Sequence, residues 1–180
     1  MEYIDIIDKN GKPTGETKSR EDVHKHGLLH RHVHVWILNS KNQVLLQKRA
    51  ATKRSYPNMW ACSVEGHVSA GKSLSDTVEN EISEELNISV NKNDLEPVFS
   101  FHRGPMKFGG DWVENAINNV FIVNNETPVS KMKIQKSEVS EVRWMDLKDY
   151  KHEIDSKAPA YRAYPEEFPK LFKLIKENMV

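Results

Sequence analysis

Residues 66–88 read GHVSAGKSLSDTVENEISEELNI, and this stretch decides the fold. A loop punctuated by Gly66 and Gly71 runs into a segment that Ser73 can cap, with Asp76 three residues on as an aspartate version of the capping box. Leu74, Val78, Ile82 and Leu86 recur at helical spacing. The segment therefore predicts an amphipathic helix ending near Leu86, with Asn87 able to take the left-handed conformation usually given to glycine. Glu81, Glu84 and Glu85 fall within one sector of about 100° on that helix, and Glu85 lies inside the apolar stripe. Burying an unpaired carboxylate costs on the order of several kcal/mol, so a divalent cation is its simplest partner. A solvated acidic face is the plain alternative, and the placement of Glu85 weighs against it.

The rest of the chain alternates strands and helices. Tyr3–Ile7 reads as a strand entering an Asn10-Gly11 turn, and Ser19 caps a short helical lead-in to His26. His30–Leu38 alternates regularly, with His30, His32, His34 and Trp36 on one face, and hairpins through Ser40–Gln43 into Val44–Arg49. Residues 50–58 form a basic loop, and Trp60–Val64 a short buried strand that delivers Gly66. Strands are expected at 95–102, 116–123 and 141–145, with residues 104–110 as a loop. A helix starts at Asp146, and another closes the chain over Phe168–Met179. In 180 residues this pattern argues for one α/β domain.

Composition excludes several function classes. The formal net charge is +0, which makes no electrostatic case for nucleic acid or a membrane surface. Cys62 is the single cysteine, so no intramolecular disulfide forms and a reducing compartment is indicated. No apolar run approaches the roughly 18 residues of a membrane span, and the N-terminus lacks a basic-then-apolar leader. A cytoplasmic protein is the expectation.

The spacing in 66–88 resembles the signature of the Nudix hydrolases, Gx5Ex7REUxEExGU with U aliphatic. Gly66, Glu81, Ile82, Glu84, Glu85 and Ile88 match it, whereas Lys72, Asn80 and Asn87 replace its first glutamate, its arginine and its second glycine. The resemblance implies an α/β/α sandwich with a mixed β-sheet: a core over 28–149, an N-terminal β extension over 1–27 and a C-terminal helical segment over 150–180. It implies Mg²⁺ or Mn²⁺ held by Glu81, Glu84, Glu85 and the carbonyl of Gly66, with Glu84 and Glu85 as catalytic residues. Its reaction is hydrolysis of a small-molecule substrate, a nucleoside diphosphate linked to another moiety, by an activated water. Homodimers are frequent in the family. For Lys72 two readings stand: it pairs with Glu84 or Glu85 in place of the lost bracing, or the metal site is weakened and the domain binds a phosphorylated metabolite without catalysis.

His24, the Leu29-His30 pair, Pro57-x-x-Trp60 and Gly66-His67 are similar to a subgroup close to the type I isopentenyl diphosphate isomerases. Those enzymes bind metal through histidines as well as glutamates and carry a catalytic cysteine immediately before the Gly-His pair. Here that position is Glu65, and Cys62 stands three residues too early, so isomerase activity is not expected and Cys62 reads as a small buried residue. His30 and His67 are expected to line the active site, and His32 and His34 to be exposed or hydrogen-bonded face residues. Arg49 is the candidate for holding the diphosphate through its bidentate fork, a surface arginine paired with an acid being the alternative. Lys53, Arg54 and Arg103 are weaker candidates for the same task. Related sequences often carry a glutamate where this chain has Ala116, and with Glu114 two residues away the general base stays unassigned.

Overall fold

The computed structural model describes residues 1–178. An N-terminal hairpin, β1 (Tyr3–Ile7) and β2 (Pro13–Ser19), leads into α1 (Arg20–His26), whose N-cap Ser19 accepts from the Asp22 amide and whose C-cap Gly27 is left-handed at φ 60°. The main sheet is built from β3 (His30–Leu38), β4 (Gln43–Arg49), β5 (Trp60–Ala61), β6 (Val64–His67), β7 (Phe99–Lys107), β8 (Val113–Asn124) and β9 (Val139–Asp146). Its order is β5-β4-β3-β8-β7, with β6 paired to β3 and β9 to β4. β3 and β8 are parallel along their length and the other pairs antiparallel, so the sheet is mixed.

Alternation along β3 sets up two cores. Val33, Val35 and Ile37 face α2 (Leu74–Leu86) and pack with its Val78, Ile82 and Leu86. Trp36 and Leu38 face the other way, onto Tyr150 of α3 (Leu147–Asp155) and onto Phe168, Leu171 and Ile175 of α4 (Phe168–Asn178). The result is the expected α/β/α sandwich, and none of its helices is long and apolar enough to cross a membrane.

Two elements differ from the sequence reading. The strand placed at 60–64 is two short strands, because β5 pairs with β4 whereas β6 crosses to pair with β3. The strand placed at 95–102 starts at Phe99 and continues through the Gly104-Pro105 pair to Lys107, its ladder with β8 resuming after a bulge between Arg103 and Met106. Gly104 makes this continuation feasible: its φ is +110°, and a Cβ there would sit 2.3 Å from the Glu114 carbonyl oxygen. Met179, read as the last residue of the closing helix, lies outside the described residues.

Candidate active site

Strand β6 divides the site. Glu65 and His67 stand opposite His34 and His32 and share their face of the sheet, whereas Gly66 points toward α2. On the α2 side the fit is tight, since a Cβ on Gly66 would lie 2.4 Å from Glu81 Oε1. Ser73 accepts from the Asp76 amide and Asn87 closes the helix at φ 55°, as the sequence predicts, which fixes where the three glutamates emerge.

Glu81, Glu84, Glu85, Lys72 and Asn80 line one cavity of about 310 Å³ with Gly66 and Glu138. Glu85 is 5% exposed and accepts from Gln47 Nε2 at 3.3 Å, and Glu84 is exposed. Burial, reinforced by Glu84, Glu2 and Glu138, pushes the Glu81 carboxyl up to about 7. Burial and then Glu81 push Glu85 well up as well. Burial first, and neighbouring carboxylates after it, therefore disfavour the charged form of both acids. Lys72 does not supply the compensating charge: among the described residues it forms no ion pair with Glu84 or Glu85, and the cation that bears on Glu81 and Glu85 is Lys53, itself paired with Glu138.

On the other side of β6 a second cluster forms. Ligand-capable atoms of His24, His30, His67 and Glu114 all lie within 4.8 Å of one another. His24 Nδ1 donates to the Arg20 carbonyl at 2.7 Å and His30 Nδ1 to the Leu28 carbonyl at 3.0 Å, so in each neutral ring the Nε2 lone pair points inward. His67 Nε2 meets His24 Nε2 at 3.0 Å, and the Glu114 oxygens lie 3.3–3.4 Å from His30 and His24. His30 Nε2 and Glu114 Oε1 are buried with no hydrogen-bond partner. Burial above all, then His32, drives the His67 imidazole well below its ordinary pKa. Although burial opposes it, the adjacent imidazoles of His24 and His30 hold the Glu114 carboxyl well below the usual range. The Trp112 indole stacks on His24 at 3.8 Å and 18°, roofing the cluster, with Arg54 4.5 Å above the indole.

His67 lines both this side and the carboxylate side, and His30, fully buried, belongs to the cluster. Neither His32 nor His34 is exposed. The C-terminal segment covers His34, with Glu167 Oε2 on its Nδ1 at 2.8 Å and Glu167 Oε1 accepting from Trp36 Nε1 at 2.5 Å, while the His32 ring packs edge-on against His34 and His67.

A cavity of about 290 Å³ runs along this face, lined by Arg20, Arg49, Lys53, Arg54, Arg103 and Arg162 against Glu65, Glu85, Glu114 and Glu138. Arg49 is buried rather than on the surface, and it does have an acid partner: Glu65 takes ion pairs from both Arg49 and Arg162. Although burial opposes it, Arg162 and then Arg49 hold the Glu65 carboxyl far below the ordinary range. Cys62 is fully buried in the apolar core against the Tyr164 hydroxyl, and burial pushes its thiol well up. Sequence reasoning missed Arg162, whose segment carries no motif, and left Glu114 without a role. The signal for Glu114 was its place one strand repeat before Ala116, on the face of β8 that His30 shares.

A family model for the NUDIX domain matches residues 28–166. The chain is 35% identical over 182 residues to Nudix hydrolase 3 of Arabidopsis thaliana, covering 98% of this chain but only 24% of that much longer protein. It is 31% identical over 155 residues to an isopentenyl-diphosphate Delta-isomerase of Escherichia coli, covering 86% of this chain and 82% of the relative. Among solved structures, the protein DR0079 from Deinococcus radiodurans superposes with a TM-score of 0.68 at 20% identity, covering 98% of both chains, and shares the fold. Fold, signature spacing and these matches agree: the chain belongs to the Nudix family of hydrolases.

Proposed function

We propose that this protein is a metal-dependent pyrophosphohydrolase that cleaves a nucleoside diphosphate linked to another moiety. The observation that carries the reading is the pairing, across β6, of two anion- or lone-pair-rich clusters with one cavity rich in arginine and lysine. Both clusters fit a cation. In one, inward lone pairs and two orphaned buried atoms converge; in the other, burial, reinforced by neighbouring carboxylates, raises the carboxyls of Glu81 and Glu85. His24, His30, His67 and Glu114 would hold a divalent metal that accepts imidazole, and Glu81, Glu84, Glu85 and the Gly66 carbonyl would hold Mg²⁺ or Mn²⁺. A bound cation supplies charge neutralisation to the diphosphate oxygens and polarises the bond to be broken.

The chain's own groups divide the remaining work. Arg20, Lys53 and Arg54 face the cavity and would take the diphosphate oxygens as it enters. Glu85 borders both cavities, and its carboxylate would take the proton of an attacking water, with the bond from Gln47 Nε2 supporting its orientation. Trp112 roofs the histidine cluster and would exclude bulk water from it. The isomerase reading finds less support, because Glu65 is bound up with two arginines and Cys62 is sealed in the core.

The test is a panel of nucleoside diphosphate conjugates and isopentenyl diphosphate, assayed with Mg²⁺ or Mn²⁺ for the wild type, Glu84→Gln, Glu85→Gln and Glu114→Gln. Turnover of a conjugate that falls at least a hundredfold in Glu85→Gln upholds the reading. Metal binding without turnover of any diphosphate would replace it with a binding module, and isomerisation of isopentenyl diphosphate would replace it with the isomerase.

A further inference from the structure

Of the three buried arginines, two share a carboxylate and one has none. Arg49 and Arg162 both pair with Glu65, while Arg103, 7% exposed, forms no ion pair among the described residues. Its Nε reaches only the Met106 sulfur at 3.4 Å, its Nη2 donates to the Tyr56 hydroxyl at 3.2 Å, and its Nη1 is buried with no partner. Asn118 is 2% exposed on the neighbouring strand β8, and its Nδ2 is also buried without an acceptor. The β7–β8 register sets Arg103 opposite Ala116 and Phe101 opposite Asn118, so both donors rise from one face of the sheet. Both line the 290 Å³ cavity.

A guanidinium taken out of water without a counter-charge is a standing penalty, and so is an orphaned amide donor beside it. An apolar tail in this wall would leave both unpaired, whereas an oxyanion would satisfy both at once. We infer that Arg103 and Asn118 form an oxyanion subsite, and that the substrate carries a second anionic group, phosphate or carboxylate, apart from the diphosphate. The placement of that second group rests on the hydrolase reading; oxyanion binding at Arg103 does not.

The two are separated by working without turnover. Full-length protein stripped of metal with EDTA is titrated with inorganic phosphate and, separately, with acetate, by calorimetry and by melting temperature. The wild type is expected to bind one of them and to melt higher in its presence, the preferred anion telling phosphate from carboxylate. Arg103→Met is expected to bind at least tenfold more weakly, to lose the anion-dependent rise in melting temperature, and without anion to melt no lower than the wild type, since an unpaired charge has gone. Arg103→Lys should retain part of the binding and provides the readout if the methionine variant does not fold. Equal affinity in wild type and Arg103 variants, binding abolished instead by Arg54→Met at the cavity mouth, or no anion binding at all would each overturn the subsite. A protein inactive on every diphosphate would leave these results as they stand.

Discussion

Replacing Glu81 by glutamine should stabilise the metal-free protein at neutral and alkaline pH while weakening its hold on metal. The carboxyl sits between α2 and β6, pressed against Gly66, and its pKa stands at about 7 against an ordinary 4.5. A carboxyl raised on folding binds more protons in the native state than in the unfolded chain between those two values, so stability falls as pH rises through this window. Below 4.5 both states are protonated and the group costs nothing; above about 7 the full penalty is present. At about 1.4 kcal/mol per pH unit, the penalty reaches about 3 kcal/mol. Glutamine fills the same space without the charge. Urea unfolding in EDTA at pH 5 and pH 8 should show Glu81→Gln close to wild type at the lower pH and more stable by about 2–3 kcal/mol at the higher. Metal binding, followed by calorimetry at pH 8, should weaken in the same variant. A variant less stable than wild type at pH 8, or a stability difference independent of pH, would refute the idea that Glu81 is held in an anionic enclosure awaiting a cation.

Three further outcomes follow from the same geometry. Gly66→Ala places a methyl 2.4 Å from Glu81 Oε1, at the free end of a flexible side chain, so the glutamate should swing away; the cost in stability should stay within about 1–3 kcal/mol, while metal affinity, read by calorimetry, drops at least as far as in Glu81→Gln. Glu65→Gln leaves Arg49 and Arg162 buried without their shared carboxylate, and should destabilise by about 3–5 kcal/mol in urea unfolding at pH 7; a loss under about 1 kcal/mol would show the arginines to be solvated. Cys62, fully buried with its thiol pushed up, should react with an aromatic disulfide reagent only as the protein unfolds, and rapid labelling of the native protein would contradict the packing.

What the sequence disclosed about fold and site followed the reach of each signal. Helix α2, with Ser73 and Asn87 at its ends, was legible because caps and a helical period are local. The burial of His34 was not, since its partner Glu167 lies 133 residues away and the side that covers a strand cannot be read from its own alternation. Gly104-Pro105 read as a loop because turn chemistry outweighed pairing with β8, which only the folded sheet supplies. The histidine cluster stood halfway. His24, His30 and His67 were noticed as a resemblance, yet their convergence on Glu114 needs α1, β3, β6 and β8 together.

Strand β6 is four residues long, and its alternation turns Gly66 toward α2 and sets Glu65 and His67 on the opposite face, where both still border the two cavities. A change at residue 65 therefore alters the arginine-lined chamber and the electrostatic field at Glu85 together, while residue 66 has almost no freedom at all. Within this scaffold, substrate choice and the metal apparatus are tied to one another by a strand four residues long.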